Sequence, residues 1–179
     1  MEKILITGGS GFLGRALALK LKNNYEVTLG SRNNGLNQEA AEYTGCKAIP
    51  LDVSNILSVQ DAFNSIKPDI VIHAGATKYV NISEAQPLEC IDVNVLGSQN
   101  IARVAIEKGI KLVVGVSTDK AAPPVNHIYG NSKALMEKMF CSLNFSNQTN
   151  FTCVRFGNIA WSTGSVFPIW KRMMETNGK

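Results

Sequence analysis

The stretch "KILITGGSGFLG", Lys3 to Gly14, constrains this chain more than any other. Aliphatic and β-branched residues run without a spacer into a glycine cluster, and a helical pattern follows to about Lys22. Gly9, Gly11 and Gly14 satisfy Gly-x-Gly-x-x-Gly, and Gly8, Gly11 and Gly14 satisfy the variant Gly-x-x-Gly-x-x-Gly. A strand turning this tightly into a helix lets another molecule approach the backbone. The helix N-terminus also aims unpaired N–H groups at the turn, which suits a phosphate. The stretch therefore predicts the first unit of a parallel α/β sheet, with a dinucleotide pyrophosphate against Gly8, Gly11, Phe12, Leu13 and Gly14.

The alternation continues along the chain. "EVTLG" (Glu26 to Gly30), "KAIPL" (Lys47 to Leu51), "DIVIHAG" (Asp69 to Gly75), "KLVVGVS" (Lys111 to Ser117) and "FTCVRF" (Phe151 to Phe156) read as five further strands. A long helix is expected from Pro87 to Lys108, with Ile91, Val95, Ile101 and Ala105 near helical spacing. A second is expected from Tyr129 to about Asn144, where Leu135, Met139 and Leu143 recur every four residues. "SVFPIWKRMMET" reads as a helix with Pro168 near its start. Such alternation implies a Rossmann-type, doubly wound parallel sheet with helices on both faces. The 179 residues, 45% of them hydrophobic, suffice for one such domain spanning 1–179.

Several classes of function are not indicated. The net charge is +4, but Lys20, Lys22, Lys47, Lys67 and Lys111 are scattered, so no nucleic-acid surface is expected. Cys46, Cys90, Cys141 and Cys153 form no Cys-x-x-Cys pair, which argues against a metal and for reduced thiols in a cytoplasmic protein. No apolar run approaches a membrane span. Without a signal peptide, the triplets at Asn81, Asn144, Asn147 and Asn150 read as chance in an Asn-rich chain.

The second strand's end bears on which dinucleotide binds. An NAD site places Asp or Glu there, whereas this chain has "GSRNN", Gly30 to Asn34. Arg32 can pair with a 2′-phosphate through its planar fork and Ser31 can add a hydrogen bond, so NADP is expected over NAD. Arg32 as a solvated loop residue is the other reading. Asp52, followed by Val53, either accepts from the adenine amine or caps the next helix. Ala74, Gly75 and Ala76 are small enough to let a cofactor approach the fourth strand's end.

"STDKAAPPVNHIYGNSK", Ser117 to Lys133, follows the fifth strand. Tyr129 and Lys133 share a helix face. A nearby ammonium and a positive nicotinamide ring would favour the phenolate, making Tyr129 a base for a substrate hydroxyl. Ser117 and Thr118 can bond the same substrate oxygen. His73 reads as a satisfied core residue, and the role of His127 stays open.

These motifs resemble the extended short-chain dehydrogenase/reductase family. More narrowly, "HAGATKYVNISEAQPLECIDVNVLGSQNI", "STDKAAPPVN", "YGNSK" and "VRFGNI…GSV" resemble the inverting UDP-N-acetylglucosamine 4,6-dehydratases of polysaccharide biosynthesis. The resemblance implies NADP oxidation at C4 of a nucleotide-linked hexose, with Tyr129 and Lys133 at the reacting carbon. Lys120 would then take the C5 proton and Asp119 protonate the departing C6 hydroxyl, before hydride returns to C6 and a proton to C5, with C5 epimerisation as a variant. Both groups would need pKa values moved toward neutrality by bound substrate. By the same resemblance Lys78 contacts cofactor and substrate, Thr118 and Asn158 contact substrate, Asn94 helps position the site or packs its helix, and the protein is a homo-oligomer. Three departures stand out. Tyr129 lies one residue further from Lys120 than in the family, which predicts a bulge. Trp161 and Thr163 stand where the family has a glycine and an arginine. The chain ends at Lys179, whereas the family continues into a portion that builds much of the substrate pocket, so a fragment or shortened relative is expected. A 4-epimerase or simple reductase is the alternative enzyme, and an NADP-binding module without catalysis is the alternative outside enzymes.

Overall fold

The computed structural model describes residues 1–123, 125–145, 148–162 and 165–177. All six expected strands form: β1 (Lys3–Thr7), β2 (Glu26–Ser31), β3 (Lys47–Pro50), β4 (Ile70–His73), β5 (Leu112–Thr118) and β6 (Asn150–Phe156). They make one sheet ordered β3-β2-β1-β4-β5-β6, with every neighbouring pair parallel. The winding reverses between β1 and β4, and in such sheets the crevice outside the strands' carboxyl ends at that point takes ligands.

Side-chain alternation along β1 assigns the two faces. Ile4 and Ile6 enter a core with Ala18 of α1 (Phe12–Leu21) and Ala40 of α2 (Asn34–Thr44). Leu5 enters the opposite core with Phe63 of α3 (Ile56–Ile66), Ile101 of α6 (Gly97–Glu107) and Met136 of α7 (Ile128–Leu143). The Rossmann-type, two-faced arrangement expected from the sequence is what forms.

Two helices begin at asparagines that the sequence reading did not single out. Asn33 accepts from Leu36 N at α2, and Asn55 accepts from Leu57 N and Ser58 N at α3. The expected helix from Pro87 to Lys108 is interrupted. It runs as α5 (Pro87–Ile91), a π turn (Asp92–Leu96) and α6, with a short α4 (Val80–Ala85) before it. Within the π turn Gly97 N bonds Asp92 O, five residues back. The Asn94 side chain faces sideways to the loop after β4, accepting from Thr77 N (2.8 Å) and donating to Thr77 O (3.0 Å). These bonds accompany an inserted residue in the helix, the usual mark of a π bulge. α8 (Val166–Asn177) carries Pro168 in its first turn and, like the end of β6, exposes large apolar side chains.

A buried polar chain fastens these elements. Ser98 Oγ donates to Asn94 O (2.6 Å), so it accepts from His73 Nε2 (3.0 Å), which must carry the ring proton. His73 Nδ1 then accepts from Thr7 Oγ1 (2.8 Å), and Thr7 Oγ1 accepts from Gly75 N (3.1 Å). Burial drives the His73 pKa down to about 3, with the Lys133 charge a lesser cause. The ring is a satisfied core residue, as the sequence suggested.

The unfolded chain binds a proton at His73 near 6.5 and the folded chain only near 3, so this residue should make stability fall as pH drops through that window. Heteronuclear NMR should show the Nε2–H tautomer persisting across it. His73→Phe, leaving Thr7 without its acceptor and Ser98 without its donor, should cost about 2–3 kcal/mol in denaturant unfolding.

Candidate active site

The cofactor end is built on the first turn. Gly8 has φ +66°, and a Cβ there would meet Gly75 Cα and N at 2.8 Å, so the loops after β1 and β4 touch backbone to backbone. Gly14 lies against Gly9, where a Cβ would come within 2.6 Å of its Cα. Gly11 begins α1 in an extended conformation with no side-chain cap, leaving the N-terminal amides of Phe12 and Leu13 to a ligand. Ala74, Gly75 and Ala76 flank this turn half-buried. A glycine cradle facing an uncapped helix start fits a pyrophosphate.

The second strand's end is more committed than the sequence implied. Ser31 Oγ donates to Asn37 Oδ1 (2.6 Å) and bonds Ser10 Oγ (2.7 Å), while Asn37 Nδ2 donates to Ser31 O and Ile49 O. Arg32 Nη1 pairs with Glu89 Oε1 at 3.0 Å, half-exposed. Asp52 Oδ1 accepts from Ser54 N (3.0 Å) and Ser54 Oγ (2.7 Å), a local turn, and Asn55 rather than Asp52 caps α3. Val53 is buried and its carbonyl accepts from Asn100. Lys78 is exposed over the Tyr79 ring (5.2 Å), and desolvation lowers its pKa.

At the reacting end, β5 runs into a 3-10 turn (Asp119–Ala121) capped by Thr118, whose Oγ1 accepts from Lys120 N and donates to Asp119 Oδ1 (3.0 Å). Lys120 Nζ reaches Asp119 Oδ1 (3.2 Å) and Asn158 Oδ1 (3.1 Å). Thr118, Asp119, Lys120 and Asn158 are thereby brought together. The Thr118 hydroxyl also lies near enough to the Tyr129 phenol to favour its ionised form. The Ser117 hydroxyl is buried beside the Glu137 carboxylate, whose pKa it helps to lower.

Tyr129 is the second residue of α7, and two side chains hold that helix start. His127 Nδ1 accepts from Gly130 N (2.9 Å) and Glu84 Oε1 from Ile128 N (2.7 Å). His127 is extended at the start of α7 and caps it, which gives this histidine a role the sequence left open. Ser132 Oγ donates to Tyr129 O (2.7 Å) and accepts from Asn94 Nδ2 (3.0 Å), so the π turn braces the helix. Ser132, Glu84 and Glu89 lie inside stretches quoted from the sequence, but no role was read there for any of them. Trp161 takes φ +63°, a region that favours glycine, and stacks on Phe167 (5.5 Å). Thr163 and the Asn147 triplet lie outside the described residues.

The electrostatics differ between these groups. Lys133 is buried, its Nζ donating to Val116 O (2.9 Å), and desolvation pulls its pKa down to about 8. Burial pushes the Tyr129 phenol up, opposed by the Thr118 bond, so protein groups alone do not favour the phenolate. The Lys120 ammonium, then the Thr118 hydroxyl, hold the exposed Asp119 carboxyl below its ordinary value, opposite to what a general acid needs. Among the described residues no metal-ligand cluster occurs, and no helix is long and apolar enough to cross a membrane.

A family described as "Polysaccharide biosynthesis protein" matches residues 4–179. A Campylobacter jejuni protein named UDP-N-acetylglucosamine 4,6-dehydratase (inverting) is 34% identical, covering 99% of this chain and 55% of its own length. A Rickettsia bellii protein named UDP-glucose 4-epimerase is 36% identical over 98% of this chain and 54% of its own. The X-ray structure of Pen from Bacillus thuringiensis superposes with a TM-score of 0.89 at 33% identity, over 98% of this chain and 56% of that one. The chain thus spans about half the length of these relatives.

Lys133 yields a pH-dependent prediction. The unfolded chain keeps this proton to about 10.5 and the folded chain only to about 8, so its contribution to stability rises with pH between those values. In Lys133→Met that rise should vanish. Denaturant unfolding of the two proteins should differ by roughly 3 kcal/mol more at one end of the window than at the other. Tyr129, pushed up by burial in both proteins, cancels in the difference, whereas the Cys153 thiol is held lower by the Lys133 charge and moves further up when that charge is removed.

Proposed function

The chain belongs to the polysaccharide biosynthesis proteins of the extended short-chain dehydrogenase/reductase family, and on that premise we propose that it carries the cofactor-binding and reacting residues of a nucleotide-sugar 4,6-dehydratase. The substrate is a UDP-N-acetylhexosamine and the cofactor a tightly held NADP. One observation carries this reading: the turn after β5 pairs Lys120 with both Asp119 and Asn158, directly after Thr118 at the strand's end. An epimerase has no need of an acid–amine pair there.

Gly8, Gly11, Phe12, Leu13 and Gly14 hold the pyrophosphate, and Arg32 with Ser31 receives the adenosine end. Bound NADP supplies the hydride acceptor at C4 and the donor at C6. Tyr129 takes the C4 hydroxyl proton, with Thr118 orienting that oxygen and the buried Lys133 charge below it. The C4 ketone acidifies the C5 hydrogen, which Lys120 removes while Asp119 protonates the departing C6 hydroxyl. Lys120 returns a proton to C5, on either face if epimerisation accompanies the reaction. A hexose beside the two side chains desolvates both, so the proton of the Lys120 ammonium passes to Asp119, leaving a neutral amine as base and a neutral carboxyl as acid. The 36% identity to a protein named UDP-glucose 4-epimerase supports the second reading, in which Tyr129 and Lys133 act without elimination.

Asp119→Asn separates the two. Under the dehydratase reading, protein given UDP-N-acetylglucosamine should accumulate reduced nicotinamide, with 4-keto-6-deoxy product falling on the order of 10²–10⁴-fold. Stopped-flow absorbance with product analysis reads both quantities, and elimination at an unchanged rate overturns the dehydratase mechanism. Tyr129→Phe should instead abolish hydride transfer while cofactor affinity stays within a few-fold by calorimetry, and reduction that persists in this mutant removes Tyr129 from the reaction.

A further inference from the structure

No role was read for Glu89 in the sequence, yet its carboxylate holds the residue that would choose the cofactor. Arg32 directly follows β2, and Glu89 lies in the first turn of α5, beyond β4. β2 and β4 flank β1 on opposite sides. Their 3.0 Å ion pair therefore joins the two sides of β1, whose end carries the glycine turn. We infer that Glu89 is a specificity-determining residue: by occupying Arg32 Nη1 it tempers the preference for NADP and lets the chain accept NAD as well. The inference rests on the dinucleotide reading of the site.

The effect of Glu89 is one of charge. With no acid at the end of β2, a free Arg32 would present a full positive charge and a planar fork to a 2′-phosphate. Here part of that fork is already bonded, and the local charge is neutralised by a carboxylate at contact distance. A phosphate arriving at Arg32 must share or displace Glu89 and lies within a few ångströms of a like charge. The pair's side chains are 53% and 44% exposed, so it is weak enough to open but still subtracts from NADP affinity. NAD brings a neutral 2′-hydroxyl, which meets no repulsion and can donate to a carboxylate. Glu89 thus offers, from the far side of β1, the acceptor that β2 lacks.

Calorimetric titration of the chain with NADP and with NAD, before and after Glu89→Gln, tests this directly. The substitution should tighten NADP roughly 3- to 10-fold at low salt, leave NAD unchanged or weaker, and lose its effect as salt screens the charges. In an Arg32→Gln background the same change at Glu89 should move the NADP-to-NAD affinity ratio much less. Binding of both cofactors with a ratio that stays put, or shifts toward NAD, overturns the inference alone. Failure of the unmutated chain to bind either dinucleotide overturns the reading of the cofactor site, and the inference with it. The Glu89 side chain is half-exposed, so Gln should fold, and matching thermal melts will establish that any change in ratio is local.

Discussion

The imidazole of His73 is the fixed point from which both ends of the crevice are hung. Its Nδ1 accepts from Thr7, the last residue before the glycine turn, and its Nε2 donates to Ser98, which in turn engages the Asn94 carbonyl. Asn94 reaches on to Thr77 after β4 and to Ser132 in α7, and Ser132 bonds the Tyr129 carbonyl. A nearly unbroken line of buried hydrogen bonds thereby runs from the glycine turn after β1 to the start of α7. Only a neutral, singly protonated ring can make this chain, and full burial keeps it neutral. Each group has a defined direction, so a missing member leaves a buried donor or acceptor unpaired, which makes such networks stringent.

The site uses burial in two opposed ways. Lys133 is desolvated by the fold itself and loses part of its hold on its proton before any ligand arrives. Asp119 and Lys120 stay near solvent in a mutual ion pair, and only a substrate could change their surroundings. The contrast follows from position: Lys133 points from α7 under the end of β5, whereas the 3-10 turn stands at the rim beside the exposed loop after β6. Arg155 of that edge strand grips Glu137 of α7 through both carboxylate oxygens (2.8 and 2.7 Å), bracing the helix from the other side.

Hydrophobic period and glycine spacing determined most of the fold. Ile4, Leu5 and Ile6 alternate between two cores because the side chains of a strand must, and runs such as "IVIH" and "LVVGV" admit burial on both faces. The tight turn at Gly8 was equally legible, since φ +66° against the Gly75 backbone admits no other residue without strain. Tyr129 and Lys133 share a face through helical spacing alone. Asn33 and Asn55 were readable as caps but are short signals, easily lost in an Asn-rich chain.

What the tertiary structure alone decided were the partners that lie far apart in sequence. Arg32 meets Glu89 across 57 residues, Lys120 meets Asn158 across 38, and Thr7 meets His73 across 66. No local pattern encodes such pairs, because they depend on which strands lie beside β1 and on how the loops above them fold back. The π turn is of the same kind. A periodic apolar pattern predicts one continuous helix, and the inserted residue is explained only by Asn94 bonding outward to Thr77 and Ser132. The sequence by itself determined which strands form and that they build a parallel sheet covered on both faces. The packing of those elements decided which charges and hydrogen-bonding groups face one another, because that is set by distances no single segment contains.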